Sequence, residues 1–187
     1  MSATITTPAS APHTRVEDLV AIVTGVAMVK TGMPVALEGD ATLCQQLAQL
    51  FAQLDARPFT LAPGAKAGYH AALSMASNYL VTLTALAEST LGEAGLSPVE
   101  ARALLAPLMR QSLDNALTLS PAVALTGPIV RGDAQTVAAH LAALLEPTRS
   151  LYRALGRATL TLAADSPYPA ERAAVATVLE AVYDLRD

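Results

Sequence analysis

Four polar side chains share one side of an otherwise apolar segment, AGYHAALSMASNYL (residues 67–80). In a helix of about 100° per residue, His70, Ser74, Ser77 and Asn78 fall within an arc of roughly 100°. An imidazole can transfer a proton near neutral pH, and an amide can hold a carbonyl or carboxylate. We therefore take His70 as a candidate catalytic residue, and Ser74, Ser77 and Asn78 as candidate substrate-binding residues.

The same polar side also has a structural interpretation. In a helix that is buried in a dimer, His and Asn bond to backbone or partner groups. A serine hydroxyl can bond to the carbonyl one turn earlier in its own helix. Both interpretations of the stripe formed by His70, Ser74, Ser77 and Asn78 remain open at the level of the sequence.

The segment ALTGPIVRGD (124–133) carries two further candidates. A tight bend at Gly127 and a helix start at Asp133 account for its composition in structural terms. Alternatively, Thr126 and Arg131 bind an anionic substrate across a dimer interface, since a guanidinium matches carboxylate and phosphate geometry.

Other residues that could take part in catalysis or metal binding have simpler explanations. Asp40 follows a predicted strand and is predicted to cap the next helix, and Glu38 is predicted to face solvent. The alternative for this pair is metal binding or acid–base work. Lys66 lies just before the stripe, where it is a further catalytic candidate. The single cysteine, Cys44, excludes an internal disulfide and a Cys-cluster zinc site and is predicted to be buried in an apolar run.

Composition narrows the class of protein. The 187 residues are 52% hydrophobic, 15% charged and only 4% aromatic, with a net charge of −4. Alanine and leucine dominate, which favours packed helices. No basic stripe with interleaved aromatics occurs, so nucleic acid is not an expected partner. The three histidines match no metal-ligand spacing, and charged or amide residues interrupt every apolar run. The sequence predicts a cytoplasmic protein with neither a metal nor a membrane span.

The pattern of elements places the stripe on a long helix. Residues 34–39 and 57–62 read as strands around a helix at 41–55, a unit that is typically parallel. Residues 16–30 are compatible with a helix or a strand, and the tail at 1–15 is expected to be disordered. Further helices are predicted at 65–94, 97–119, 133–145, 147–163 and from SPYPAE to about 185, with a kink at Pro107. Ser97 and Glu100 are predicted to form a capping box at the start of the helix 97–119. The predicted domains are the tail 1–15, a small α/β part 16–63 and an all-helical part 64–187.

Four segments together resemble a known family: VALEGD (35–40), YHAALSMASNYL (69–80), ALTGPIVRGD (124–133) and LYRALGRATLTLA (151–163). They are similar to the carboxyl-terminal part of the Rossmann-like and DUF2520 proteins, relatives of the 6-phosphogluconate dehydrogenase, ketopantoate reductase and pyrroline-carboxylate reductase group. The resemblance implies a mainly α fold: a helical dimerisation domain of the 6-phosphogluconate dehydrogenase carboxyl-terminal type, preceded by a small strand–helix–strand remnant. It also implies that the first long helix supplies polar groups to a substrate.

The sequence departs from this family at the cofactor motif. No G-x-G-x-x-G occurs in the 187 residues, so the turn that holds a dinucleotide pyrophosphate has no counterpart. We therefore expect no cofactor and no self-contained NAD(P)-dependent reductase. The expected function is a stand-alone homodimer whose polar-lined cleft binds a small polar or anionic metabolite, or acts on it without nicotinamide. The alternatives are the substrate subunit of a split reductase whose nucleotide-binding domain is a separate chain, and a purely structural interaction module.

Overall fold

The computed structural model describes residues 3–6, 32–164 and 168–181. The chain divides into two compact units, residues 1–79 and 80–187. Most of the described residues are helical, so the predicted mainly α fold is confirmed. The element predicted within residues 16–30 lies outside the described residues.

The first unit is built on a parallel three-stranded sheet. Its strands are β1 (Ala3–Thr6), β2 (Pro34–Glu38) and β3 (Arg57–Thr60), in the order β1-β2-β3. Helix α1 (Ala41–Gln53) connects β2 to β3, and the Asp40 carboxylate caps it by accepting from the Leu43 amide at 3.0 Å. The predicted strand–helix–strand unit and its cap are confirmed.

Strand β1 corrects the prediction of a disordered tail at residues 1–15. Residues 3–6 pair with β2, with Ala3 opposite Val35 and Thr6 opposite Glu38. The edge of β2 offers backbone partners to a segment that contains β-branched residues, which favour strands. Composition alone does not report that such an edge is available. The rest of the tail lies outside the described residues.

The core of this unit lies between β2 and α1. Val35 and Leu37 pack with Cys44, Leu47 and Phe51, and all five are buried. The prediction that Cys44 is buried is confirmed, and burial raises the pKa of its thiol. Leu50 and Leu54 lie outside this core and are 43% and 51% exposed.

The predicted long helix at 65–94 is interrupted. Helix α2 (Lys66–Ala76) ends at Ser77, and α3 (Asn78–Glu93) begins immediately afterwards. Serine and asparagine are weak helix formers because their side chains compete for nearby backbone groups. Two such residues in succession, Ser77 and Asn78, place the break in the polar stripe itself.

In the second unit, α3 is followed by α4 (Pro98–Leu119), whose predicted capping box is present. The Ser97 amide donates to the Glu100 carboxylate at 2.9 Å, and the Glu100 amide donates to the Ser97 hydroxyl at 3.4 Å. The helix continues through Pro107. Arg102 pairs with Glu88 at 2.8 Å, and the Thr84 hydroxyl lies 3.6 Å from the Met109 sulfur, so α3 and α4 run antiparallel.

The remaining described helices are α5 (Pro121–Ala124), α6 (Pro128–Arg131), α7 (Ala134–Ala143), α8 (Thr148–Leu162) and α9 (Pro169–Glu180). Helix α5 packs against α4, and the last four helices form a small bundle. Among the described residues, no helix is both long enough and apolar enough to span a bilayer.

The core of this bundle is formed by Ile129, Val137, Leu141, Val175 and Leu179, all buried. These side chains come from α6, α7 and α9, and Tyr152 and Leu160 of α8 pack against them. The predicted cap of α7 is confirmed, since the Asp133 carboxylate accepts from the Thr136 amide at 3.0 Å.

Candidate functional site

The position of α2 is set by a carboxylate of the sheet. Glu38, the last residue of β2, accepts from the backbone amides of Gly64 at 2.5 Å and Lys66 at 3.0 Å. Ala65, which precedes α2, makes no side-chain cap of its own, so Glu38 satisfies amides at this helix start. Glu38 was predicted to face solvent; its side chain is half-buried and has these two backbone partners because the loop after β3 returns to the end of β2.

A ring contact fixes the rotation of α2 about its axis. Phe59 of β3 and Tyr69 of α2 meet edge to face, with ring centroids 6.0 Å apart. Tyr69 therefore marks the side of α2 that faces the sheet. At about 100° per residue, His70, Ser74 and Ser77 point roughly 80–140° away from that side.

The stripe consequently lies at the surface of its unit. His70, Ser77 and Asn78 are exposed, and Ser74 is half-buried. Among the described residues, the side chains of His70, Ser74 and Ser77 have no hydrogen-bond partner, whereas Asn78 takes part in an interaction. Back-bonding of the kind considered for the serines occurs instead at Thr84, whose hydroxyl donates to the Leu80 carbonyl at 2.8 Å.

Lys66 lies on the same side of α2, one turn before His70, and its side chain is exposed. The surface thus presents an ammonium, an imidazole and two hydroxyls in a row along one helix. Such a row can donate hydrogen bonds to a polar or anionic small molecule.

Thr126 and Arg131 belong to the second unit. Thr126 is exposed in the loop between α5 and α6, and Arg131 is the exposed last residue of α6. Hydrogen bonds from Thr136 lower the pKa of Asp133, and the charge of Arg131 lowers it further. Arg131 therefore lies near a carboxylate of its own segment.

The sequence patterns did not reveal a contact between α7 and α8. His140 Nδ1 and the Tyr152 hydroxyl are 2.8 Å apart, and their rings meet at 89°. Burial raises the pKa of Tyr152. The sequence did contain an indication that α8 carries polar groups on one side, since Arg149, Tyr152 and Arg153 are three and four residues apart. The turn at Pro147 brings this helix back towards α7.

Helix α4 presents a second kind of surface. Six of its large apolar side chains are exposed and occupy two opposite sides, whereas Leu105 and Met109 are half-buried. We call these the two apolar sides of α4: Leu104, Leu108 and Leu119 on one, and Val99, Leu113 and Leu117 on the other. The 22-residue helix buries a single residue, Ala101, and α3 buries none. A helix that is apolar on opposite sides is typical of one enclosed by other elements.

The described residues contain no group of three or more His, Cys, Asp or Glu side chains that could hold a metal ion. The candidate ligand-binding groups among the described residues lie on α2, in the α5–α6 loop and at the α7–α8 contact.

These features define a mainly helical protein with a short parallel sheet at its start. The family model described as Domain of unknown function (DUF2520) matches residues 33–159, more than half of the chain. The chain therefore belongs to the DUF2520 family, as the sequence resemblance predicted. No curated protein and no solved structure matches the chain.

Proposed function

We propose that this chain forms a helical homodimer that binds a small polar or anionic metabolite at the polar stripe of α2. Binding, or chemistry on the bound molecule, proceeds without a nicotinamide cofactor. His70 is the candidate proton-transfer group, and Ser74, Ser77 and Asn78 are the candidate contacts for the substrate. Thr126 and Arg131 are the further candidate contacts.

The observation that carries the binding proposal is the state of the stripe. The side chains of His70, Ser74 and Ser77 have no hydrogen-bond partner among the described residues. A buried structural role within one chain would require such partners, because a buried polar group without one costs about 1–3 kcal/mol. His70 and Ser77 are exposed and Ser74 is half-buried, which supports contact with a ligand in place of that role.

The dimer proposal is supported by the two apolar sides of α4. Leu108 and Leu117 point in directions about 180° apart around the helix axis, and they are 61% and 76% exposed. Full burial of a leucine or valine side chain stabilises a protein by about 1.5–3 kcal/mol. The six exposed apolar side chains of α4 therefore favour a state in which both sides of the helix are covered. A second copy of the chain supplies such a cover, and large homodimer interfaces are apolar in this way.

A thermal-shift screen of metabolites, with and without NADPH, tests the binding proposal. For a metabolite that stabilises the chain, His70→Ala and Ser74→Ala should weaken affinity by about tenfold or more while changing stability by less than about 0.5 kcal/mol. Ser112→Ala, at an exposed serine of α4, is the matched control. A large fall in melting temperature with unchanged affinity would show that the stripe is structural.

The dimer is tested by charge insertion on each side of α4. Leu108→Glu and Leu117→Glu should each weaken self-association by about 100-fold or more, because burial is lost in both copies. Leu54→Glu, at the residue that follows α1, is the matched control at a similarly exposed leucine. Analytical ultracentrifugation at micromolar concentration decides, and a monomeric wild-type chain would refute the proposal.

A second candidate function is supported by the sheet. The parallel β2–α1–β3 unit resembles the end of a nucleotide-binding half, yet the 187 residues contain no G-x-G-x-x-G. The chain would then be the substrate subunit of a split reductase. A neighbouring gene that encodes a G-x-G-x-x-G protein, and NADPH binding only in its presence, would favour this function. Micromolar NADPH binding by the chain alone would contradict both functions.

A further inference from the structure

The start of α2 already holds a carboxylate of the chain itself. Oxygen Oε1 of Glu38 accepts from the Gly64 amide at 2.5 Å, and Oε2 accepts from the Lys66 amide at 3.0 Å, so both oxygens are used. Backbone amides at a helix start, together with the helix dipole, commonly bind phosphate groups of ligands. Glu38 therefore occupies the position that a phosphate group would otherwise take at this end of α2.

A second carboxylate adds negative charge at the same end of β2. Asp40 lies two residues after Glu38 and caps α1 through the Leu43 amide. Burial is the main cause of the raised pKa of Cys44, and the charges of Asp40 and Glu38 raise it further. The negative potential of these two carboxylates therefore extends to a neighbouring side chain of α1.

Lys66 supplies a positive charge at the start of α2. Its side chain is exposed, and among the described residues no carboxylate lies within 4.0 Å of its ammonium group. Helix α2 itself contains no acidic residue. One ammonium group therefore accompanies two carboxylates, those of Glu38 and Asp40. This balance of charge disfavours a bound dianion, because like charges repel at short range.

A structural role explains why the amides of Gly64 and Lys66 have an acceptor. A helix start needs such acceptors, and a residue directly before the helix usually provides one, as Asp133 does for α7 at 3.0 Å. At α2 the acceptor comes instead from Glu38, which lies 26 residues before Gly64 at the end of a strand. The start of α2 is thereby attached to the sheet and closed to other anions.

We propose that Glu38 restricts the ligands of the α2 stripe to molecules without a phosphate group at the Lys66 end. This inference rests on the proposed ligand site of α2. A phosphate dianion would meet the charge of Glu38 at amides that are already bonded. A hydroxyl, a carbonyl or a single carboxylate can instead contact the side chains of Lys66, His70 and Ser74, which follow one another at intervals of one turn. The ligand class is therefore a neutral or singly charged, unphosphorylated metabolite.

Inorganic phosphate is the probe, titrated into the isotope-labelled full chain at a constant ionic strength set with sodium chloride. The amide resonances of Gly64 and Lys66 in NMR spectra report on the start of α2. In the wild type these two resonances should show no saturable shift. Glu38→Ala should bind phosphate there with a dissociation constant on the order of 1 mM, a gain of about tenfold or more. If circular dichroism shows that Glu38→Ala is unfolded, the same gain is required of Glu38→Gln, which removes the charge and one acceptor oxygen.

Asp40→Asn is the matched control, because it removes a carboxylate that caps a different helix, and it should leave the Gly64 and Lys66 resonances without a saturable shift. Saturable phosphate binding at these amides in the wild type would overturn the proposal, as would the absence of a gain in the folded Glu38 variant. An equal gain in Asp40→Asn would also overturn it, because net charge alone would then decide. The titration needs no metabolite. A gain in Glu38→Ala, with no stabilising metabolite in the thermal-shift screen, would therefore refute the proposed function and leave the exclusion of phosphate by Glu38 in place.

Discussion

Substitution of Gly132, the glycine that follows α6, tests how much the backbone conformation and close packing of the segment ALTGPIVRGD contribute to the free energy of unfolding. Gly132 has a φ of +72°, in the left-handed region. A Cβ at this position would lie 2.1 Å from the Cβ of Glu171 and 2.8 Å from its backbone carbonyl carbon. The atom that must move is therefore part of the backbone of α9 and cannot simply rotate away.

Two costs add up in Gly132→Ala. A non-glycine residue in the left-handed region costs about 1–2 kcal/mol. Forcing extra volume into a close contact costs about 1–3 kcal/mol more. We expect the variant to lose about 2–5 kcal/mol of unfolding free energy, which for a chain of this length lowers the melting temperature by on the order of 10 °C.

Chemical denaturation measures the loss, with Gly127→Ala as the matched control in the same segment. Gly127 also has a positive φ, of +105°, but an added Cβ there meets no atom within 4 Å. Its ψ of −178° places it in an extended region that is used almost only by glycine, so Gly127→Ala should show a backbone cost alone, about 1–3 kcal/mol. If Gly132→Ala lost less than about 2 kcal/mol, the close approach of α6 to α9 would not limit this position and the reasoning would fail.

Two further predictions concern carboxylates that satisfy helix starts. The pKa of Asp133 is lowered in the folded state, chiefly by Thr136, so its stabilisation is present at neutral pH and is lost as the pH falls below about 4 and then through the folded-state value. The difference in unfolding free energy between the wild type and Asp133→Asn should therefore shrink between pH 6 and pH 3, and parallel curves would contradict this. Glu38→Ala should cost about 0.5–2 kcal/mol in denaturation experiments, since it removes the carboxylate that accepts from the Gly64 and Lys66 amides at the start of α2. A loss below about 0.3 kcal/mol would show that water replaces the carboxylate.

Local signals in the sequence predicted the local structure well. The capping box of Ser97 and Glu100, and the caps at Asp40 and Asp133, all occur as predicted. Each relies on residues no more than three positions apart, so a single sequence contains the whole interaction. The family motifs likewise identified DUF2520 because they are contiguous strings.

Features that depend on distant residues were missed. Glu38 bonds to amides 26 and 28 residues away, and β1 pairs with a strand far along the chain. The contact between His140 and Tyr152 joins two helices across the turn at Pro147. Periodicity reports which side of an element is apolar, but it does not report which element covers that side.

The candidate site illustrates the same limit. Helical spacing correctly placed His70, Ser74 and Ser77 on one side of α2, yet the break at Ser77 was missed because it depends on how two weak helix formers behave in succession. Spacing also gave no means of deciding between an exposed and a buried stripe. The ring contact between Phe59 and Tyr69 decides it, because it assigns the opposite side of α2 to the sheet.

The distribution of buried residues favours the proposed self-association. One core lies between the sheet and α1, and another lies within α6, α7 and α9. Between them, α2 and α3 bury no residue and α4 buries one. Helices obtain most of their stability from packing an apolar side, so these three helices gain little from their own chain. A partner that covers both apolar sides of α4 would supply packing that the chain itself does not supply to this helix. Formation of the proposed dimer is therefore expected to stabilise α4 against unfolding.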